Sequence, residues 1–150
     1  MDPYFRPILI STTVTMLLCT LLFLPINGIL FFNFIFGGIL AVYLFRKEKK
    51  STDDLKLSDV LILGIGTGIL AGSILSLMMT FILQDITFRK TLVEMINKSS
   101  KMNTSAELFL LEDFGSFFCI ILSVFTIITS SIFTSFGTMI CLPFYKQRRK

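Results

Sequence analysis

Six residues near the middle of the chain, Gly66-Thr67-Gly68-Ile69-Leu70-Ala71, satisfy the G-x-G-x-x-G/A spacing that brings backbone N–H groups against the pyrophosphate of a dinucleotide. Asp85 follows about where such a fold places its ribose-binding acid. Few other residues offer chemistry. Glu112 and Asp113 are adjacent carboxylates with the potential to act as an acid/base pair or a cation site. Cys19, Cys119 and Cys141 are far apart and lie in apolar runs, without the spacing of a metal site or a disulfide framework. There is no histidine, which removes most metal and general-base schemes.

A dinucleotide site needs a strand, a tight glycine turn, a helix and a second parallel strand. The glycines here sit instead inside Val60–Leu83, a run without charge or proline whose polar side chains are only Ser and Thr. Asp85 falls where that run ends, and no strand–helix alternation follows. The competing pattern explains more. Gly64, Gly68, Gly72 and Ser76 are four apart and form one small-residue stripe over three helical turns, a glycine zipper. Thr126, Ser130, Thr134 and Thr138 repeat the same spacing later in the chain, and Gly37, Gly38 and Ala41 supply a third small patch. Lipid gives helices no hydrophobic reason to associate, so close approach of bare backbone takes over. These eleven residues are the expected helix-packing sites, within one chain or between chains. No catalytic, cofactor-binding or metal-binding residue is expected.

The elements that carry them follow from composition. Of 150 residues, 53% are hydrophobic and 16% charged, and the mean hydropathy is +0.80. A soluble domain carries about 25% charge, so the chain has too little polar surface to cover itself in water. The net charge of +4 comes from basic residues clustered beside apolar runs, which favours a membrane surface over nucleic acid as partner.

Apolar runs cover 8–24, 29–45, 60–83 and 117–144, and crossing a bilayer takes about 20 helical residues. The expected fold is all-α: a single polytopic membrane domain of four transmembrane helices. Pro25 and Asn27-Gly28 break the first two runs into a tight hairpin or a shallower re-entrant loop. Residues 1–24 lack the n-region and small-x-small site of a cleaved signal peptide. Ten Lys and Arg flank the spans at the N-terminus, in 46–59 and in the tail, against four in 84–116. That asymmetry places both termini in the cytoplasm, and Tyr4, Tyr43 and Tyr145 fall at the same ends.

Within 84–116, Phe88, Leu92, Met95 and Ile96 recur at helical spacing, and Thr104 with Glu107 reads as a capping box. One or two short interfacial helices are expected there, acting as a connector. The glycosylation patterns at Asn97 and Asn103 are read as coincidence. No Asp, Glu, Lys, Arg or His lies inside a predicted span, where transporters usually reveal themselves. Asn33, in "FFNFIF", is the strongest intramembrane polar group, expected to hydrogen-bond between helices rather than line a cavity.

Residues 37–76 carry one resemblance. "GGILAVYLFRKEKK", a short polar hinge, then "LSDVLILGIGTGILAGSI" is similar to small four-span bacterial inner-membrane proteins of uncharacterised function. The resemblance covers about a quarter of the chain and implies the topology and an inner-membrane location, but no activity. The "LPING" turn and the phenylalanine-rich first half depart from it. The expected role is non-enzymatic: a small accessory or assembly subunit without cofactor, partnered by membrane lipids and by other membrane-protein subunits or itself. The alternative is a transporter or channel component whose path forms on oligomerisation, with Asn33 and the Ser/Thr stripe lining it.

Overall fold

The computed structural model describes residues 3–21, 29–49, 55–85, 87 and 112–146. It is all-helical over these residues, with α1 (Phe5–Leu21), α2 (Ile29–Lys49), α3 (Leu57–Gln84) and α4 (Glu112–Lys146). The Pro25–Gly28 turn and the amphipathic and capping-box stretches of 88–111 lie outside the described residues. α4 opens at Glu112, five positions before the expected apolar run, and α1 opens three positions early at Phe5.

Helix ends follow local chemistry. α3 starts after Lys56 in extended conformation (φ −77°, ψ 146°) with no side-chain cap, but Asp59 puts a carboxylate in the first turn, where the helix dipole favours it. It stops at Asp85, whose N–H donates to the Ile82 carbonyl at 3.2 Å while its own carboxylate accepts from the Thr87 N–H at 2.9 Å. α2 ends on Arg46, Lys47 and Lys49, cations beside its exposed carbonyls.

Consecutive helices run antiparallel. Cys19 meets Asn33 near one end of the α1–α2 pair and Tyr4 stacks on Phe45 at the other. α2 and α3 both pack on α1 and on α4, and α2 and α3 also touch. α1 and α4 therefore lie on opposite sides of the α2–α3 pair. Two apolar clusters fill the ends of the interior: Met16, Cys19, Phe34, Ala71 and Leu75 in one half, and Ala41, Val42, Phe45, Leu63 and Cys141 in the other.

The layer between them is polar and small. Ser11, Thr12, Thr15, Thr67, Ser130, Thr134 and Thr138 are all buried. Large apolar side chains point outward instead, with Phe32, Phe81 and Phe125 exposed by 65–72%. α3 and α4 each hold a stretch long and apolar enough to cross a membrane, 57–82 and 119–143, with mean hydropathies of 2.2 and 2.0.

One end of the bundle is closed by a clasp of three helices. Tyr4, ahead of α1, donates its hydroxyl to the Asp59 carboxylate of α3 at 2.6 Å and stacks its ring on Phe45 of α2 (centroids 5.0 Å, planes 11° apart). The Lys49 ammonium sits 5.2 Å from the centre of the same Phe45 ring. Asp59 is buried, so removing the phenol leaves a carboxylate short of a donor. Tyr4→Phe is expected to cost about 1–3 kcal/mol, the range for a charged hydrogen bond, with the helix content retained. Unfolding in detergent at the same denaturant midpoint as the parent would show that the clasp contributes nothing.

Candidate functional site

The residues singled out by spacing converge on the faces where helices meet. α3 presents Gly64, Gly68 and Gly72 to α4. A Cβ at Gly64 would stand 2.6 Å from the Ser135 Cα, one at Gly68 would overlap Ser131 Cα and Thr134 Oγ1, and one at Gly72 would overlap Ser130 Oγ. Any side chain at these three positions would push against backbone across the interface. α4 answers with hydroxyls. Ser130 Oγ donates to the Gly68 carbonyl at 2.8 Å, and Thr134 Oγ1 lies 2.8 Å from the Gly64 carbonyl. Each single proton is shared with a carbonyl of its own helix, Ile127 at 3.0 Å for Ser130 and Ser130 at 2.7 Å for Thr134. The remaining members of the two stripes bond locally or are simply enclosed. Thr126 and Thr138 donate to the Leu122 and Ser135 carbonyls, both at 2.7 Å, and Ser76 is buried.

Adjacent glycines in α2 serve different neighbours. Gly37 packs against the Thr15 side chain of α1, whereas Gly38 packs against the Thr134 carbonyl of α4. Gly137 of α4 returns the contact on the Ile35 carbonyl of α2. This exchange is reciprocal: Ile35 and Gly38 correspond to Thr134 and Gly137 at a shift of 99 positions, and α2 and α4 run parallel. Phe34, Phe45 and Lys47 match Phe133, Phe144 and Lys146 at the same shift. Each helix thus rests a glycine Cα on a partner carbonyl, geometry suited to weak Cα–H···O bonds. Ala41 is fully buried in the adjoining cluster with Cys141.

Asn33 lies between helices, its amide donating to Cys19 Sγ at 3.9 Å. The Gly66-Thr67-Gly68 triplet is divided among neighbours rather than gathered around a cradle. Gly66 faces Ile8, Thr67 shares a 3.2 Å hydrogen bond with Ser11, and Gly68 faces α4. These hydroxyls and glycines hold backbone against backbone. Their protons go to carbonyls or to each other, which orients the helices. Thr12 Oγ1 and Ser135 Oγ are enclosed without a hydrogen-bond partner. Past Ser76 the α3–α4 seam widens into an open groove of about 330 Å³ lined by Thr80, Gln84, Cys119, Ser123 and Ile127.

Spacing analysis assigned α1 no packing role, yet Pro7, Ser11, Thr15 and Cys19 are all buried. Their four-residue period is the signal that could have found them. The Tyr4–Asp59 pair had no such signal, because its members are 55 positions apart. No family model matches the chain, and no curated protein or solved structure is significantly similar to it.

The geometry separates glycines that look alike in sequence. Gly68→Ala meets backbone and is expected to destabilise by about 1–3 kcal/mol, as overpacking does. Gly66→Ala meets only the Ile8 Cδ1 tip at 2.8 Å and is expected to be near neutral. Equal losses for the two in a detergent unfolding titration would contradict the interface described. The hydroxyls separate in the same way. Thr134→Val removes an interhelical bond worth about 0.6 kcal/mol in a membrane bundle. Thr12→Val replaces an unpartnered buried hydroxyl and is expected to raise stability slightly. A Thr12→Val variant less stable than Thr134→Val would reverse the assignment.

Proposed function

We propose that the chain is an integral membrane protein of four spans, with both termini on the cytoplasmic side of a bacterial inner membrane, and that it acts as a small non-enzymatic accessory or assembly subunit. The observation that carries the membrane part is the inverted distribution of side chains. Hydroxyls and glycines are enclosed between helices, while Phe, Ile and Leu face outward along α3 and α4. Only 17% of the apolar stretch of α4 is buried, whereas the core helix of a soluble protein would be mostly covered. A hydrocarbon solvent resolves this, since it accepts the outer side chains and leaves polar groups to pair inside.

The remaining two spans rest on length and company. The 17 residues of α1 reach the lower limit for a crossing, and α2 runs about 31 Å at 1.5 Å per residue. Both pack against α3, which meets the requirement more easily. The accessory role draws support from how the chain uses its small residues. Gly37, Gly38, Gly64, Gly66, Gly68, Gly72 and Gly137 each face a neighbour within the same chain, so contacts to other subunits run over the bulky outer surface and the helix ends.

The chain is expected to sediment with membranes after alkaline extraction, and cysteine-reactive probes placed at residues 2 and 150 are expected to label from the cytoplasmic side only. Affinity purification from native membranes in mild detergent then examines the role, with larger membrane proteins expected to accompany the chain. Recovery of a homo-oligomer that releases solute from liposomes would replace the accessory reading with a transport one.

A further inference from the structure

The two ends of the bundle differ in charge. At the end closed by the Tyr4 clasp, Arg6 begins α1, Arg46, Lys47 and Lys49 finish α2, Lys56 precedes α3, and α4 stops at Lys146. At the other end α3 stops at Gln84 and Asp85, and α4 opens with Glu112 and Asp113. Among the described residues, the clasp end holds Arg6, Arg46, Lys47, Lys49, Lys56 and Lys146 against Glu48 and Asp59, and the opposite end holds Asp85, Glu112 and Asp113. The two described acids there do little to neutralise it. Asp59 is buried and accepts from Tyr4, which leaves Glu48 as the exposed carboxylate among the described residues there.

We propose that this basic end is a contact surface for the headgroups of anionic phospholipids, held chiefly by Arg6, Lys47, Lys49 and Lys56; the inference rests on the membrane reading above. All four side chains are exposed, and they come from three different helix ends. Three of them lie beside an exposed apolar or aromatic group: Phe5 next to Arg6, Tyr43 one turn before Lys47, Leu57 next to Lys56. An apolar belt that gives way to cations is the profile of the depth at which lipid phosphates lie. An acidic protein partner would be better served by cations gathered on one helix face or in a groove. Lys49 is steadied by the Phe45 ring, which the Tyr4 clasp holds in turn, so part of the surface is fixed before a lipid arrives. The parallel α2 and α4 both end in an aromatic–basic run, Phe45-Arg46-Lys47 and Phe144-Tyr145-Lys146, which repeats the feature on the same side.

The test uses the full chain reconstituted in vesicles, with spin-labelled phosphatidylglycerol and phosphatidylcholine as competing probes. The expected result is a several-fold preference for phosphatidylglycerol at low salt. It should shrink in 0.5 M salt, where charge attraction is screened within a few Å, and fall close to one in the variant carrying Arg6→Gln, Lys47→Gln, Lys49→Gln and Lys56→Gln. Asp85→Asn, at the other end, should leave it unchanged. Equal association of both lipids with the parent chain, or a preference that survives the four substitutions, overturns the proposal. So does displacement of the labelled lipid by millimolar inorganic phosphate, which would mark a free-anion site. Polyglutamate binding to protein in neutral vesicles, without lipid preference, would favour an acidic protein partner instead. Failure of the membrane reading looks different, with the chain left in the supernatant whatever the lipid.

Discussion

Backbone reaches backbone where α3 meets α4, and Thr134 is the residue on which that contact turns. Its hydroxyl lies against the Gly64 carbonyl, its side chain fills the space that Gly68 leaves open, and its own carbonyl supports Gly38 of α2. One residue therefore fixes three helices relative to each other. The register cannot slide, because Gly64, Gly68 and Gly72 each have a specific small residue of α4 opposite, and a shift by one position would set a bulky neighbour such as Ile65 or Ile69 against α4. The same closeness explains why the hydroxyls on α4 are Ser and Thr. A larger polar group would hold the helices apart, and an apolar one would remove the interhelical hydrogen bond that the facing carbonyl accepts beside its own helical one.

That interface also makes sense of the inside-out composition. When bulky apolar groups face hydrocarbon, nothing is gained by moving them inward, and van der Waals contact decides what packs where. Small residues give the most backbone contact per helix, so they occupy the middle of the bundle. Larger side chains return toward the two ends, where Phe34 clusters with Leu75 and Phe45 with Leu63. Past Ser76 the small stripe gives out, and the groove beside Thr80 and Ser123 opens where α3 no longer has a glycine to offer.

How much of this was legible depended on whether a contact leaves a periodic trace. The glycine and hydroxyl stripes of α3 and α4 could be read because each keeps one residue class at a four-residue period. The face of α1 has the same period but mixes Pro7, Ser11, Thr15 and Cys19, and mixed chemistry hides a stripe. Gly37 and Gly38 were visible as a patch, but their division between α1 and α4 was not, since a sequence does not say which neighbours a helix will have. The reciprocal contact of Gly38 and Gly137 needed α2 and α4 to be parallel and adjacent before a shift of 99 positions meant anything. Asp59 left no trace of its own. It lies one residue outside a predicted span, and only the return of Tyr4 from the start of the chain makes it a buried acceptor.

The four helices are consequently not equivalent partners. α2, α3 and α4 are held by bare backbone: glycines on α3 against α4, and glycine against carbonyl in both directions between α2 and α4. α1 has no glycine of its own. It lies on the far side of the α2–α3 pair and is held by side chains, through Ser11 on Thr67, Thr15 on Gly37, Cys19 beneath Asn33 and the clasp at Tyr4. Side-chain contacts of this kind are individually weaker and more adaptable than interlocked backbones. The bundle is therefore best understood as an inner unit of three helices with a fourth laid against it. A strongly polar attachment of that fourth helix among the described residues, Tyr4 on Asp59, lies at the basic end of the bundle.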